Sequence, residues 1–204
     1  MDEKHKKFLM QIYELYNRFG IKSVTMDDVA HELGISKKTL YQSVRDKANL
    51  VEQVVMLVAD EHNHRLNEIV SENLSAIEEL FRVNQHMNHM ISNQNPAMMH
   101  DLQKYYPEIH RRLLTKQRRR MHDAILKNLR KGIRQGIYRK DMNVDIISKI
   151  YLTRMEYHFN TDPYMTSDID PRNLIREIFI YHMHGISNEK GVQELNKQIK
   201  NYFK

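Results

Sequence analysis

The chain has 12 histidines, 32 lysines and arginines and no cysteine, and these residue types limit the chemistry open to it. Without thiols there is no disulfide framework, no cysteine-ligated zinc and no thiol nucleophile. Several histidines come in close pairs: His62/His64, His86/His89 and His182/His184. A spacing of i, i+3 sets His86 and His89 on one helix face, as a metal site could use, whereas i, i+2 does not. No cysteine or carboxylate cluster accompanies them, so neither a metal site nor a cofactor is expected. No nucleophile–base set or phosphate loop appears, and catalysis is not expected; an all-helical enzyme is the remotest alternative. Recognition chemistry remains. Ser36, Lys37, Lys38, Thr39 and Gln42 are small, hydrogen-bonding or cationic, and none is acidic. Carried outward on one short helix, such a set can read base edges in a major groove and neutralise phosphates.

The elements that must position them are legible in the first fifty residues. Phe8, Ile12, Leu15, Tyr16 and Phe19 recur at helical spacing, and Gly20 follows as a stop. Thr25 can cap a second helix that carries Met26, Val29, Ala30 and Leu33 on one face, and Asp27 and Asp28 suit its positive end. Gly34 ends that helix in a tight turn. Ser36 caps a third, with Leu40, Tyr41 and Val44 on its apolar side. Ala30, four residues before Gly34, is small enough for the two helix backbones to cross closely. Two short helices joined by a glycine turn are the parts of a helix-turn-helix.

Beyond a seam near Asp46 to Leu50 the helices lengthen. One opens with Leu50, Val51, Val54, Leu57 and Val58 and runs to about Val70; the next begins near Leu74. Pro96, Pro107 and Pro171 each stand where the first turn of a helix tolerates proline. Helices are expected from Pro107 to about Gly136, through Ile146 to Met155, from Pro171 to Gly185, and from Val192 to Phe203, with a loop over Thr161–Asp170. Scarce glycine (6) and proline (4) disfavour strand-rich folds. The fold class read from the sequence is therefore all-α: a three-helix helix-turn-helix domain over residues 1–48, then a larger helical domain over 49–204, for which the resemblance given below implies effector binding and dimerisation. A formal charge of +6 favours a polyanionic partner. The charged N-terminus lacks an apolar core, and no apolar run approaches the roughly 20 residues that span a bilayer. A cytoplasmic protein without a membrane partner is expected.

The run from Val24 to Leu50, with the preceding Tyr16-Asn-Arg-Phe-Gly20, resembles the DNA-binding signature of the TetR family of transcriptional regulators. The resemblance is detailed over residues 5 to 58; further on it rests on length and helix order. Val44 departs from it, since many members carry phenylalanine there. The resemblance implies that Thr25 touches a phosphate, that Ser36, Lys37, Lys38, Thr39 and Gln42 face bases or phosphates, that Tyr41 contacts the DNA backbone, and that Lys47 meets a phosphate. It also implies a homodimer on a palindromic double-stranded operator, paired through helices at about 143–159 and 171–185, and a repressor released by a small-molecule effector. A fold-mate that binds DNA without an effector, in chromosome organisation or division, is the alternative.

The region between would hold the effector. Asn84 and Asn88 interrupt the apolar stripe of Ile77, Phe81 and Ile91, and Tyr151, Arg154, Met155 and His158 repeat the pattern on a later helix. Polar groups converging in an apolar wall make a ligand pocket; the same residues can instead reach solvent or satisfy one another. The stretch Lys104–Lys140 is the most basic, with Arg111, Arg112, Lys116 and Lys131 among its cations and only Glu108 and Asp123 opposing them. It reads as a solvated helix face, or as a surface for an anionic effector or an acidic protein.

Overall fold

The computed structural model describes residues 2–159 and 171–202, with side chains throughout except at 91, 155–159, 171 and 172. The described residues form ten helices: α1 (Glu3–Phe19), α2 (Met26–Glu32), α3 (Lys37–Ser43), α4 (Lys47–Ser71), α5 (Ala76–Asn93), α6 (Pro96–Tyr105), α7 (Pro107–Arg134), α8 (Val144–Phe159), α9 (Pro171–Ile186) and α10 (Glu189–Tyr202). Tyr138 and Ser187 form an isolated bridge. The expected loop over Thr161–Asp170 lies outside the described residues.

Short polar side chains start most of these helices, because the first amides of a helix have no partner within it. Thr25 and Asp28 form a reciprocal capping box at α2, and Ser36 accepts from the Thr39 N–H at α3. Asp46 accepts from the Asn49 N–H at 2.7 Å, Ser75 from Glu78 at 3.0 Å and Asn143 from Ile146 at 3.1 Å. Asn95 does the same ahead of Pro96, where the missing proline N–H costs nothing. Gly185, expected to end α9, lies inside it, since the helix continues to Ile186.

The chain packs as two compact units, Met1–Glu68 with His86–Gln117, and Ile69–Gln85 with Arg118–Lys204. In the first, Leu9, Ile12, Leu15 and Tyr16 of α1 join Val29, Ala30, Leu40, Val44, Leu50, Val51 and Val54 in one core, closed by Met98, Leu102, Ile109 and Leu113. Val44 is buried there, so the smaller residue still serves as a core position. Phe19 stands on the packed side of α1 yet is 58% exposed, with the Arg18 guanidinium 5.3 Å from its ring. Periodicity specifies the side of a helix and not how far along its axis the neighbours reach.

In the second unit, Ile77 and Phe81 pack with Ile125, Leu129, Tyr138, Tyr151, Phe179, Met183 and Leu195. Phe81 meets Phe179 edge to face, ring centres 4.9 Å apart. A buried polar chain runs through this core. The Tyr138 hydroxyl donates to Asn128 Oδ1 (3.1 Å), the Asn128 amide donates to Glu79 Oε1 (2.8 Å), and Lys131 pairs with Glu79 Oε2 at 2.6 Å. Each buried group thereby has a partner, which removes the penalty of burying it bare.

The basic stretch is balanced in space by acids remote in sequence. Arg112 pairs with Glu52 at 2.7 Å and Lys116 with Asp60 at 2.9 Å within the first unit, and Lys131 with Glu79 within the second.

Gly132 sits against the Tyr138 ring, where a Cβ would overlap ring atoms, while Gly185 faces open space. Gly132→Ala is expected to cost about 3 kcal/mol or more. Gly185→Ala should stabilise by about 0.5–1 kcal/mol through lower chain entropy in the unfolded state. Thermal unfolding followed by circular dichroism checks both; equal melting temperatures for the two variants would refute this account of the core.

Candidate nucleic-acid interface

The helix-turn-helix is built from two seven-residue helices, α2 and α3. Helices this short do not persist alone in water. Their order comes from packing and from the connection between them. Gly34 adopts φ +63°, a left-handed conformation that costs a side-chain-bearing residue energy, and the Ile35 N–H returns to the Ala30 carbonyl at 3.0 Å. Leu40 is the buried residue of α3 and anchors it in the core. The rest of α3 is thereby turned outward, with Ser36, Lys37, Lys38, Thr39, Tyr41 and Gln42 all exposed.

These positions are not equivalent. Ser36 Oγ lies 2.8 Å from Thr39 Oγ1, so both hydroxyls are held in the cap of α3. The Thr25 hydroxyl donates to Asp28 Oδ2 at 2.7 Å while accepting from the Asp28 N–H at 3.2 Å. Those contacts, led by the Thr25 N–H bond, hold the Asp28 carboxyl below its ordinary range. Lys37 is paired with Asp27 of α2 at 2.9 Å, and its hydrogen bond to that carboxylate pushes its pKa up. Among the described residues Lys38 and Gln42 carry no such intramolecular tie, and both are exposed and available to a ligand. Lys47 differs from all of these. It is half-buried, its ammonium donates to the Lys22 carbonyl at 3.3 Å, and burial pushes its pKa down against the opposing pull of Asp101 and Asp28.

Helix α6 fastens the corner between α1 and α2. The Lys22 N–H donates to Asp101 Oδ2 at 2.8 Å. Asn17 accepts from the Asn95 N–H at 2.8 Å through its side chain, and its carbonyl accepts from the Asn95 amide at 2.9 Å. The sequence marks Asp27 only as an acid at the start of α2, not as the partner of Lys37, and does not mark Lys22 or Asp101, because none lies at a helical interval from the residue it serves.

The expected effector residues divide between the two packing units. Asn88 belongs to the first unit and Asn84 to the second, both half-buried on α5. Tyr151 is buried in the second unit, and Arg154 is exposed with its guanidinium 5.1 Å from the Tyr181 ring. The side chains of Met155 and His158 lie outside the described residues. His182, marked in the sequence only for its closeness to His184, stacks on Tyr151 with ring centres 3.7 Å apart and planes at 9°. Burial, helped by the Arg154 charge, pushes its pKa down from 6.5 to about 4. Among the described residues no three histidines, cysteines or acids stand close enough to hold a metal ion, and no helix is long and apolar enough to cross a membrane.

A capped, outward-facing α3 set against α2, joined to further helical packing, defines the class of helix-turn-helix DNA-binding regulators. Residues 9–54 match the family profile of bacterial regulatory proteins, tetR family. That match covers the helix-turn-helix and the helices flanking it, so this segment is a DNA-binding domain of the tetR-family type. Its fold is shared by solved structures of low identity. A transcriptional regulator from Cytophaga hutchinsonii is 15% identical, with a TM-score of 0.76 over 92% of this chain and 100% of that one. A protein from Saccharomonospora viridis, classed as a transcriptional regulator and solved in complex with choline, is 17% identical, with a TM-score of 0.71 over 92% and 100%. A TetR/AcrR-family regulator from Thermobifida fusca is 16% identical, with a TM-score of 0.63 over 87% and 94%. No curated protein matches the chain by sequence.

Two outcomes are expected. Asp27→Asn removes the carboxylate that competes for Lys37 and should raise affinity for duplex DNA about two- to fivefold, the scale of one exposed ion pair; unchanged or lower affinity in a salt-matched anisotropy assay counts against this role for Lys37. His182, with its folded pKa below its unfolded one, leaves stability intact above pH 6.5. As pH falls from 6.5 towards 4 the unfolded chain takes up a proton that the folded one refuses, and about 3 kcal/mol is lost. Melting curves of the wild type and His182→Phe should diverge over that interval, and parallel curves would contradict the burial of a neutral imidazole.

Proposed function

We propose that this protein is a homodimeric transcriptional repressor that binds a palindromic operator through residues 1–48 and leaves it when a small-molecule effector occupies the helical part over 49–204. The observation that carries this reading is the outward face of α3, where Lys38 and Gln42 stand exposed on a helix anchored through Leu40. In this reading Lys38 and Gln42 face bases or phosphates. Ser36, Lys37 and Thr39 line the same groove, Tyr41 lies along the DNA backbone, and Thr25 and Lys47 approach phosphates.

One seven-residue helix reads too few base pairs for selective binding, so two copies are required. Ile146 and Ile150 on α8 are 55% and 49% exposed, and Tyr181 on α9 is 69% exposed. Apolar side chains left uncovered on these helices support their use as the dimer surface. The complex of the S. viridis protein with choline supports a small-molecule site within this fold. Of the residues expected to line it, Asn84, Tyr151 and Arg154 all belong to the second unit and are the ones proposed for it. The effector acts by preferring the arrangement that does not fit DNA, which shifts the population away from the bound state.

Duplex DNA from upstream of the gene, titrated in the presence of competitor, tests the reading. Saturable binding by a dimer at about nanomolar concentration is expected. Lys38→Ala should weaken it, and Ile146→Glu with Ile150→Glu should give a monomer by light scattering that binds far more weakly. A tight-binding Lys38→Ala protein, or a monomeric wild type with full affinity, would overturn the assignment.

A further inference from the structure

We propose that the phosphate-binding surface of this protein extends beyond the helix-turn-helix onto α6, where Lys22, Lys104 and Tyr105 together form a contact for the DNA backbone. The inference rests on the DNA-binding reading above and adds to it a site outside the helix-turn-helix.

A continuous set of contacts leads from the helix-turn-helix to this patch, all within the first unit. Lys47, in the first turn of α4, donates to the Lys22 carbonyl at 3.3 Å. The Lys22 N–H in turn donates to Asp101 of α6 at 2.8 Å. From the same residue the Lys22 ammonium reaches Tyr105, with Nζ 5.0 Å from the ring centre. Lys104 brings a second ammonium to within 5.6 Å of that ring. Lys22, Lys104 and Tyr105 are all exposed.

Two cations share one aromatic ring here, and each gains from its face. They also repel one another, and among the described residues neither has a carboxylate within ion-pair distance. Asp101, the acid whose charge bears on Lys22 and Tyr105, is already committed: its side chain is 13% exposed, Oδ2 accepts from the Lys22 N–H, and His100 Nδ1 stands 3.9 Å from Oδ1. The Lys22 ammonium beside it also holds the Tyr105 hydroxyl below its ordinary pKa. Two ammonium groups and a phenol at one exposed point form a donor set for a phosphate diester, which needs charge and hydrogen bonds but no base edge.

The test uses the full-length protein and a mixed-sequence 30-base-pair duplex, because phosphate contacts do not depend on sequence. Affinity is measured by fluorescence anisotropy across a sodium chloride series for the wild type, Lys22→Ala, Lys104→Ala, Lys104→Arg and Tyr105→Phe, with Lys38→Ala as the reference for the recognition helix. Lys22→Ala and Lys104→Ala should each weaken binding roughly three- to tenfold, and flatten the plot of log affinity against log salt by about one to two phosphate equivalents. Lys104→Arg should restore both affinity and slope, and Tyr105→Phe should lose affinity with the slope nearly kept. Wild-type affinity and slope in both alanine variants, beside a weakened Lys38→Ala, would overturn the α6 contact and leave the DNA-binding reading standing. A wild-type protein that binds no duplex at any salt would overturn both.

Discussion

The recognition surface depends on one constraint: a seven-residue helix must be held at a fixed angle by residues that are not part of its surface. Helix α3 is too short to nucleate itself, and Leu40 is the side chain by which it is buried. The Gly34 turn sets its direction, and the caps at Thr25 and Ser36 satisfy the free amides at the starts of α2 and α3. Remove the burial and the outward residues lose a common orientation, whatever their charge.

Charge is organised by the same packing. Lys37 meets Asp27 on α2, and Lys47 is drawn to the Lys22 carbonyl, so two of the expected phosphate contacts already have protein partners. Binding DNA then exchanges one set of contacts for another, and the net gain is smaller than a count of lysines implies. The basic run of α7 shows the same principle on a larger scale. Glu52, Asp60 and Glu79 come from other helices to meet Arg112, Lys116 and Lys131, and much of that charge is structural.

The second unit contains its own polar order in the chain from Tyr138 through Asn128 and Glu79 to Lys131. Such a network fixes one arrangement of the helices it joins, since any shift would bury a donor or acceptor without a partner. The stacked Tyr151–His182 pair lies in the same unit, with the imidazole held neutral by burial.

The sequence by itself determined the order of the helices, the caps that start α2 and α3 and the helix-turn-helix, because caps, glycine turns and 3.6-residue periodicity are local properties written within a few residues. Thr25, Gly34, Ser36 and Leu40 could be assigned in that way before any contact was known. Only the tertiary structure decided that Phe19 is exposed, that Lys37 is paired with Asp27, that Asp101 reaches the turn at Lys22, and that His182 covers Tyr151. These facts depend on which helix ends meet and how far they extend. Helix periodicity gives the face of each element, and the distance along its axis at which a partner stops is set by the packing of residues as far as 120 positions apart in the chain.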